Sequence, residues 1–131
     1  MKGGYVDGFV LVVPKSKIAA YRKMAAEGGK MWKKHGALDY KECVGDDLTP
    51  DMGDMGGMRL LTFPKMAKTK SSETVVFSYI LYKSRAHRDS VNKKVMAEMT
   101  KQMEKHKDKP MPFDMKKMAY GGFKVIVDAS R

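Results

Sequence analysis

Asp7 is the residue with the strongest chemical reason to act on a ligand, because its neighbours in the segment YVDGFV are largely apolar. An extended chain places Tyr5 and Asp7 on one face of a strand. A carboxyl group there loses hydration on folding, which raises its pKa and suits it to hold or transfer a proton. We expect Asp7 to line a mainly apolar ligand pocket between two sheets together with Tyr5, Tyr40, Ser78 and Tyr79. The alternative is a strand-end carboxylate that faces solvent or pairs with a lysine.

A second polar cluster consists of Ser84, Arg85, His87 and Arg88 at the predicted start of a helix. Acidic residues are the usual choice at this end of a helix, because the helix dipole is positive there. Basic residues in their place favour an anion-binding site, in which backbone N–H groups and guanidinium groups share a phosphate or carboxylate. The alternative is that Arg85 pairs with Asp89 and that the stem of Arg88 covers apolar surface.

The sequence predicts no metal and no other cofactor. Met52, Met55 and Met58 recur at three-residue spacing in the loop from Asp51 to Met58, and thioethers favour Cu(I), but the loop holds no His or Cys. The lone Cys43 has no partner for an intramolecular disulfide and no C-x-x-C spacing for zinc. Phosphate-binding glycine loops and the G-x-S-x-G motif of esterases are also missing from the sequence.

Size and charge restrict the class of protein without choosing a function. The 131 residues fit one domain, residues 1–131, and the 26 Lys plus Arg against 15 Asp plus Glu give a net charge of +11. Lys83 to Lys117 carries 11 basic and 5 acidic residues, yet aromatic residues do not alternate with them as in nucleic-acid readers. The apolar run after Gly8 is too short for a membrane span. These features favour a cytoplasmic protein that does not bind membranes.

Hydrophobic periodicity predicts the elements that must position these residues. Strands are expected at Tyr5 to Val13, Leu38 to Val44, Thr74 to Tyr82 and Tyr120 to Asp128. A first helix is opened by Pro14 and stopped by Gly36, a second runs from Ser84 to about His106, and short turns follow Phe63 and Met115. Gly28 and Gly29 within the first helix indicate close approach to the sheet or a local kink.

The order of these elements is that of the α+β ferredoxin-like fold, βαββαβ, with an antiparallel sheet and two helices on one face. Two strands, Tyr5 to Val13 and Thr74 to Tyr82, are apolar on both faces. A second copy that stacks sheet against sheet would cover the bare face, because exposing it to water would be costly. We therefore expect a homodimer.

Five segments are distributed along nearly the whole chain: YVDGFVLVVPK, AYRKMA, KHGALDYKECVGDD, ETVVFSYILYKSRAHRDSVNKKVM and MAYGGFKVIV. In these segments the chain resembles the YbaA-like family of small bacterial proteins in the dimeric α/β-barrel superfamily. The resemblance implies a ferredoxin-like fold, a barrel formed by the two sheets of a dimer, and a cytoplasmic location. It implies no reaction and no catalytic residue, although other branches of that superfamily include monooxygenases, haem-degrading oxygenases and small-molecule binders.

The leading hypothesis is thus a small cytoplasmic dimeric protein that binds a small molecule in the cavity between its sheets. One alternative is a cofactor-independent enzyme of the monooxygenase type that uses the same cavity. The other is a weak RNA-binding protein.

Overall fold

The computed structural model describes residues 4–50, 60–106 and 111–130 of the chain. The predicted Met-rich loop from Asp51 to Met58 lies outside these residues. The elements in chain order are β1 (Tyr5–Pro14), α1 (Ile18–Lys34), β2 (Asp39–Val44), α2 (Phe63–Ala67), β3 (Glu73–Tyr82), α3 (Arg85–His106) and β4 (Ala119–Lys124). Short 3-10 turns at Lys15–Lys17 and Met115–Lys117 precede α1 and β4.

The four strands form one antiparallel sheet in the order β2-β3-β1-β4. Its central strands β1 and β3 pair along their whole length, from Tyr5 opposite Tyr82 to Pro14 opposite Glu73. The two long helices α1 and α3 pack on one face of this sheet. The structure therefore confirms the predicted α+β class and the ferredoxin-like topology.

The core lies between the sheet and the two long helices, in two clusters. One cluster joins the end of α1 to α3 and consists of Tyr5, Met31, Ala37, Ile80, Tyr82, Val91 and Val95. The other joins the start of α1 to the far ends of the central strands and consists of Leu11, Val13, Tyr21, Ala25, Val76 and Phe113. Burying a side chain of this kind contributes about 1.5–3 kcal/mol, so these clusters determine where the helices sit on the sheet.

The opposite face of the sheet, which we call the outer face, is partly bare. Val12 and Val75 are buried there, at the end of the strands that α2 contacts. Phe77 of β3 and Phe123 of β4 are 45% and 60% exposed. The predicted apolar character of both faces of β1 and β3 therefore leaves large side chains in contact with solvent in a single copy.

Two helix ends follow the predicted local signals. Gly36 follows the end of α1 with a φ of +115°, a backbone conformation that glycine adopts without steric cost. The Oγ of Ser84 accepts the backbone N–H of His87 at 3.1 Å and so caps the N-terminus of α3.

The last strand is shorter than the sequence predicts. The predicted strand runs from Tyr120 to Asp128, whereas β4 ends at Lys124, which pairs with Tyr5 at the start of β1. One further bond joins Val125 N to Gly4 O, and the side chains of Ile126 and Val127 are exposed. The prediction was wrong past Lys124 because alternating apolar residues do not show where the neighbouring strand begins.

Among the described helices, none is both long and apolar enough to cross a membrane.

Candidate functional site

The five residues predicted to line one pocket lie on two different faces of the sheet. Asp7 of β1 and Tyr40 of β2 are both opposite Ile80 in the ladder, so their side chains share its face. This face meets the helices and carries four of the five: Tyr5, Asp7, Tyr40 and Ser78. Tyr79 lies on the outer face, where its hydroxyl donates to Asp39 Oδ2 at 3.2 Å. A cavity between this sheet and a partner sheet would therefore exclude the other four side chains.

Asp7 is buried under the N-terminal part of α3 and is only 1% exposed. Its Oδ1 has no hydrogen-bond partner among the described residues and lies 3.7 Å from Nη1 of Arg88. Burial raises the pKa of Asp7, while the charge of Arg88 and the nearby hydroxyl groups of Tyr82 and Tyr120 oppose that rise. The direction is the one that the sequence predicts, but its cause is packing against a helix.

Arg88 connects α3 to both β1 and β4. Its Nη2 donates to the hydroxyl of Tyr5 at 3.0 Å and its Nη1 to the hydroxyl of Tyr120 at 2.9 Å. Its guanidinium carbon lies 5.0 Å from the ring centre of Tyr5, and its Nε lies 3.1 Å from Asp89. These contacts direct the cation into the protein, beside Asp7.

The four residues predicted to bind an anion do not point to a common centre. The Oγ of Ser84 is used as the helix cap, and Nδ1 of His87 accepts the backbone N–H of Lys83 at 3.0 Å. Arg88 turns inward, whereas Arg85 is exposed. An anion at this helix terminus would thus meet Arg85 but not the side chain of Arg88 in its observed position.

A cavity of about 570 Å³ opens between α1 and the edge strand β2. That volume lies within the range of small-molecule sites, about 300–1,000 Å³. Apolar and polar side chains line it: Ile18, Tyr21, Arg22, Ala25, Ala26, Gly29, Lys30, Tyr40, Glu42, Cys43, Val44 and Val76.

Two tyrosines hold the carboxylate of Glu42 in this cavity. The hydroxyl of Tyr21 on α1 donates to Oε1 at 2.6 Å, and the hydroxyl of Tyr40 on β2 donates to Oε2 at 2.6 Å. Burial raises the pKa of both phenols, and the hydrogen bond to Glu42 raises it further as the second largest cause. Both phenols therefore remain donors throughout the ordinary pH range. The result is a carboxylate in a fixed orientation whose remaining lone pairs can accept hydrogen bonds from a ligand.

The glycine pair in α1 lets this arrangement form. A Cβ on Gly29 would lie 2.9 Å from Cδ1 of Tyr40, closer than real Cβ contacts, and one on Gly28 would lie 3.3 Å from its hydroxyl. Glycine therefore allows the Tyr40 ring to lie against the helix. The predicted close approach of α1 to the sheet is confirmed, and its partner is Tyr40.

Trp32 connects the cavity to the buried cluster around Asp7. Its ring centre lies 6.1 Å from that of Tyr40, and its Nε1 donates to Asn92 Oδ1 at 3.2 Å. Asn92 also accepts a hydrogen bond from the hydroxyl of Tyr82 at 3.2 Å, and its side chain opposes the rise in the pKa of Asp7. Since Trp32 is the one tryptophan of the chain, its fluorescence reports on both places.

Sequence reasoning named Tyr40 as a pocket residue, but for a cavity between two sheets, and it did not name Tyr21, Glu42, Arg22 or Lys30 as site residues. One usable signal was the alternation that puts Tyr40 and Glu42 on the same face of β2. The position of Tyr21 opposite Glu42 carried no such signal, because it depends on where α1 lies across the sheet.

Comparison with known proteins gives the family. Residues 4–115 match the family described as "Protein of unknown function (DUF1428)". The chain is 42% identical over 124 residues to "Uncharacterized protein YbaA" of Escherichia coli strain K12. The alignment covers 95% of this chain and 97% of YbaA. The chain belongs to the DUF1428 family. A YbaA protein of Shigella flexneri shows the same identity and coverage as the Escherichia coli DUF1428 relative.

Membership of DUF1428 confirms the resemblance to YbaA-like proteins and supplies no reaction. Among solved structures, the de novo designed protein Foldit4 aligns with a TM-score of 0.41 and 11% identity, covering 95% of this chain and 99% of that one. A similarity at that level supports no argument about function.

Proposed function

We propose that this protein binds a small organic molecule in the cavity between α1 and β2. The observation that carries the proposal is the carboxylate of Glu42, oriented by two phenols within a cavity of about 570 Å³. Apolar walls with a few oriented polar groups are typical of small-molecule sites. The proposal differs from the sequence hypothesis in location, since Tyr40 faces α1 and not the outer face of the sheet.

A cavity-filling variant tests the proposal. Ala26 is exposed and lines the cavity, so Ala26→Trp should fill it without disturbing the core. Ala20 is exposed on the same helix outside the cavity, and Ala20→Trp is the matched control. A library of small organic fragments is screened against ¹⁵N-labelled protein by NMR.

We expect fragments that shift the amide signals of the cavity residues to bind at least about tenfold more weakly to Ala26→Trp, with unchanged affinity for Ala20→Trp. A tenfold loss corresponds to about 1.4 kcal/mol of binding free energy. A screen in which no fragment shifts the cavity signals, or in which both variants bind equally well, would contradict the proposal.

We also propose that two copies of the chain associate through the outer face of the sheet. Exposed Phe77 and Phe123 lie there beside the half-buried side chains of Val6, Val10 and Leu81. A second sheet stacked on this face would remove them from water, which is the main favourable term in association. The ligand cavity lies on the other face, so this association would leave it open.

The two alternative functions stay predictions. Oxygen consumption with an electron-rich phenol or quinol would test the monooxygenase hypothesis. RNA binding that weakens steeply with added salt would test the third hypothesis.

A further inference from the structure

The negative charge of the cavity is already balanced by hydrogen bonds. Each carboxylate oxygen of Glu42 accepts one short bond, from Tyr21 on one side and from Tyr40 on the other. Hydrogen bonds to a charged acceptor are stronger than neutral ones, so these two stabilise the carboxylate without any cation. A ligand at Glu42 therefore needs to supply a donor group, but it does not need to supply positive charge.

The positive charge of the cavity has no such balance. Arg22 and Lys30 line the side formed by α1, with the small Ala26 midway between them at four-residue spacing. Eight residues correspond to about 12 Å along a helix, and both side chains are long and flexible enough to converge above Ala26. Both are exposed, and neither forms a salt bridge within the part of the chain that the structure describes.

We infer that the ligand is an amphipathic organic anion, with an apolar body, one carboxylate or phosphate group at Arg22 and Lys30, and a hydroxyl or amino donor at Glu42. This inference rests on the proposed function, since it names the class of ligand for the same cavity. The apolar side chains that line the cavity receive the body of the ligand: Ile18, Ala25, Val44 and Val76.

A matched series of compounds tests which class of ligand binds, independently of whether the cavity binds any ligand. Each apolar body in the library is present as a carboxylate, a phosphonate, a neutral amide and an amine, with and without a terminal hydroxyl. One such set is 4-hydroxyphenylacetate, 4-hydroxybenzylphosphonate, 4-hydroxyphenylacetamide and tyramine, with phenylacetate as the member that lacks the hydroxyl. Affinities are measured by NMR titration at constant ionic strength, and the carboxylate and phosphonate members distinguish the two anion types.

Three variants test which residues bind the two polar ends of the ligand. Arg22→Gln combined with Lys30→Gln removes the cations, and Lys93→Gln combined with Lys94→Gln removes the same charge from exposed positions on α3. Glu42→Gln removes the negative charge and replaces one of the two acceptor oxygens by an N–H donor. We expect the Arg22 and Lys30 double variant to bind the anions at least tenfold more weakly and the amides with unchanged affinity. The Lys93 and Lys94 double variant should bind every member of the series with nearly unchanged affinity. Glu42→Gln should bind 4-hydroxyphenylacetate at least fivefold more weakly than the wild type does, and it should bind phenylacetate no more weakly.

The outcomes separate this inference from the proposed function. If the cavity signals shift with amides or amines as strongly as with anions, or if the Arg22 and Lys30 variant binds anions normally, the ligand class is overturned and the site stands. If no member of any class shifts the cavity signals, the proposed function fails and the inference fails with it.

Discussion

At the scale of single residues, Asp7 and Glu42 show two ways of placing a carboxyl group inside a protein. Glu42 accepts two short hydrogen bonds, whereas Oδ1 of Asp7 accepts none among the described residues and depends on a cation 3.7 Å away. A buried charge without full hydrogen bonding is costly even when it has a partner. Asp7 should therefore contribute more to the pH dependence of stability than an exposed carboxylate does.

Asp7→Asn tests this expectation through the sign of the pH effect. Because folding raises the pKa of Asp7, the folded state binds more protons than the unfolded state between the unfolded pKa, about 3.9, and the folded pKa. The wild type should therefore lose free energy of unfolding relative to Asp7→Asn as the pH rises through that window. Below that window Asp7 is protonated in both the folded and the unfolded wild type, so the difference in free energy of unfolding between the wild type and Asp7→Asn should be constant. Urea unfolding followed by Trp32 fluorescence at a series of pH values measures the difference.

Asp47→Asn is the control for Asp7→Asn, because Asp47 is exposed. Its unfolding curves should follow those of the wild type at every pH. Parallel pH curves for the wild type and Asp7→Asn, together with an ordinary midpoint in an NMR titration of the Asp7 carboxyl carbon, would contradict the expected shift.

At the scale of elements, the contact between α1 and β2 decides whether the cavity exists. Glycine in a helix costs about 1 kcal/mol relative to alanine, and α1 carries two in succession. The cost is explained by the ring of Tyr40, which occupies the space that a Cβ on Gly29 would need. Local helix propensity and tertiary packing therefore oppose each other at this point of α1.

Gly29→Ala should reveal that opposition. In the wild-type background the variant should be no more stable than the wild type, because displacement of Tyr40 offsets the gain in helix propensity. In a Tyr40→Ala background the same substitution should stabilise by about 1 kcal/mol, since the ring is no longer there. Urea unfolding of the four proteins of this cycle gives both values. Equal effects of Gly29→Ala in the two backgrounds would show that Tyr40 is not the reason for the glycine.

At the scale of the whole molecule, the two faces of the sheet differ in how well they are covered. The helix face holds both core clusters, whereas the outer face leaves about half of the surface of Phe77 and Phe123 exposed to solvent. A contiguous exposed apolar patch on a protein surface commonly marks an interaction site. The proposed dimer follows from this difference between the faces.

Light scattering at micromolar concentration should give twice the mass of the chain. Phe77→Glu combined with Phe123→Glu should give a folded monomer, because both side chains are exposed in one copy while charges would be buried between two sheets. Met96→Glu places a charge at an exposed apolar position on α3 and should leave the dimer intact. A wild-type protein that is folded and monomeric at this concentration would contradict the proposed association.

The sequence by itself determined the element order and the fold class, because the signals for these are local. Alternation in Tyr5 to Val13 and Thr74 to Tyr82, the serine at the start of α3 and the glycine after α1 each act within a few residues. These signals predicted β1, β2, β3 and α3 to within one residue at each end. They also predicted the direction of the Asp7 pKa shift, since apolar neighbours along the strand already imply desolvation.

The tertiary structure alone decided which side chains meet. Tyr21 and Glu42 are 21 residues apart, and Arg88 and Tyr5 are 83 apart, so their contacts depend on strand register and on how the helices cross the sheet. The same long-range geometry turned Asp7 toward α3, separated Tyr79 from the other predicted pocket residues and ended β4 at Lys124. Periodicity shows that residues share a face, but only packing shows what that face touches.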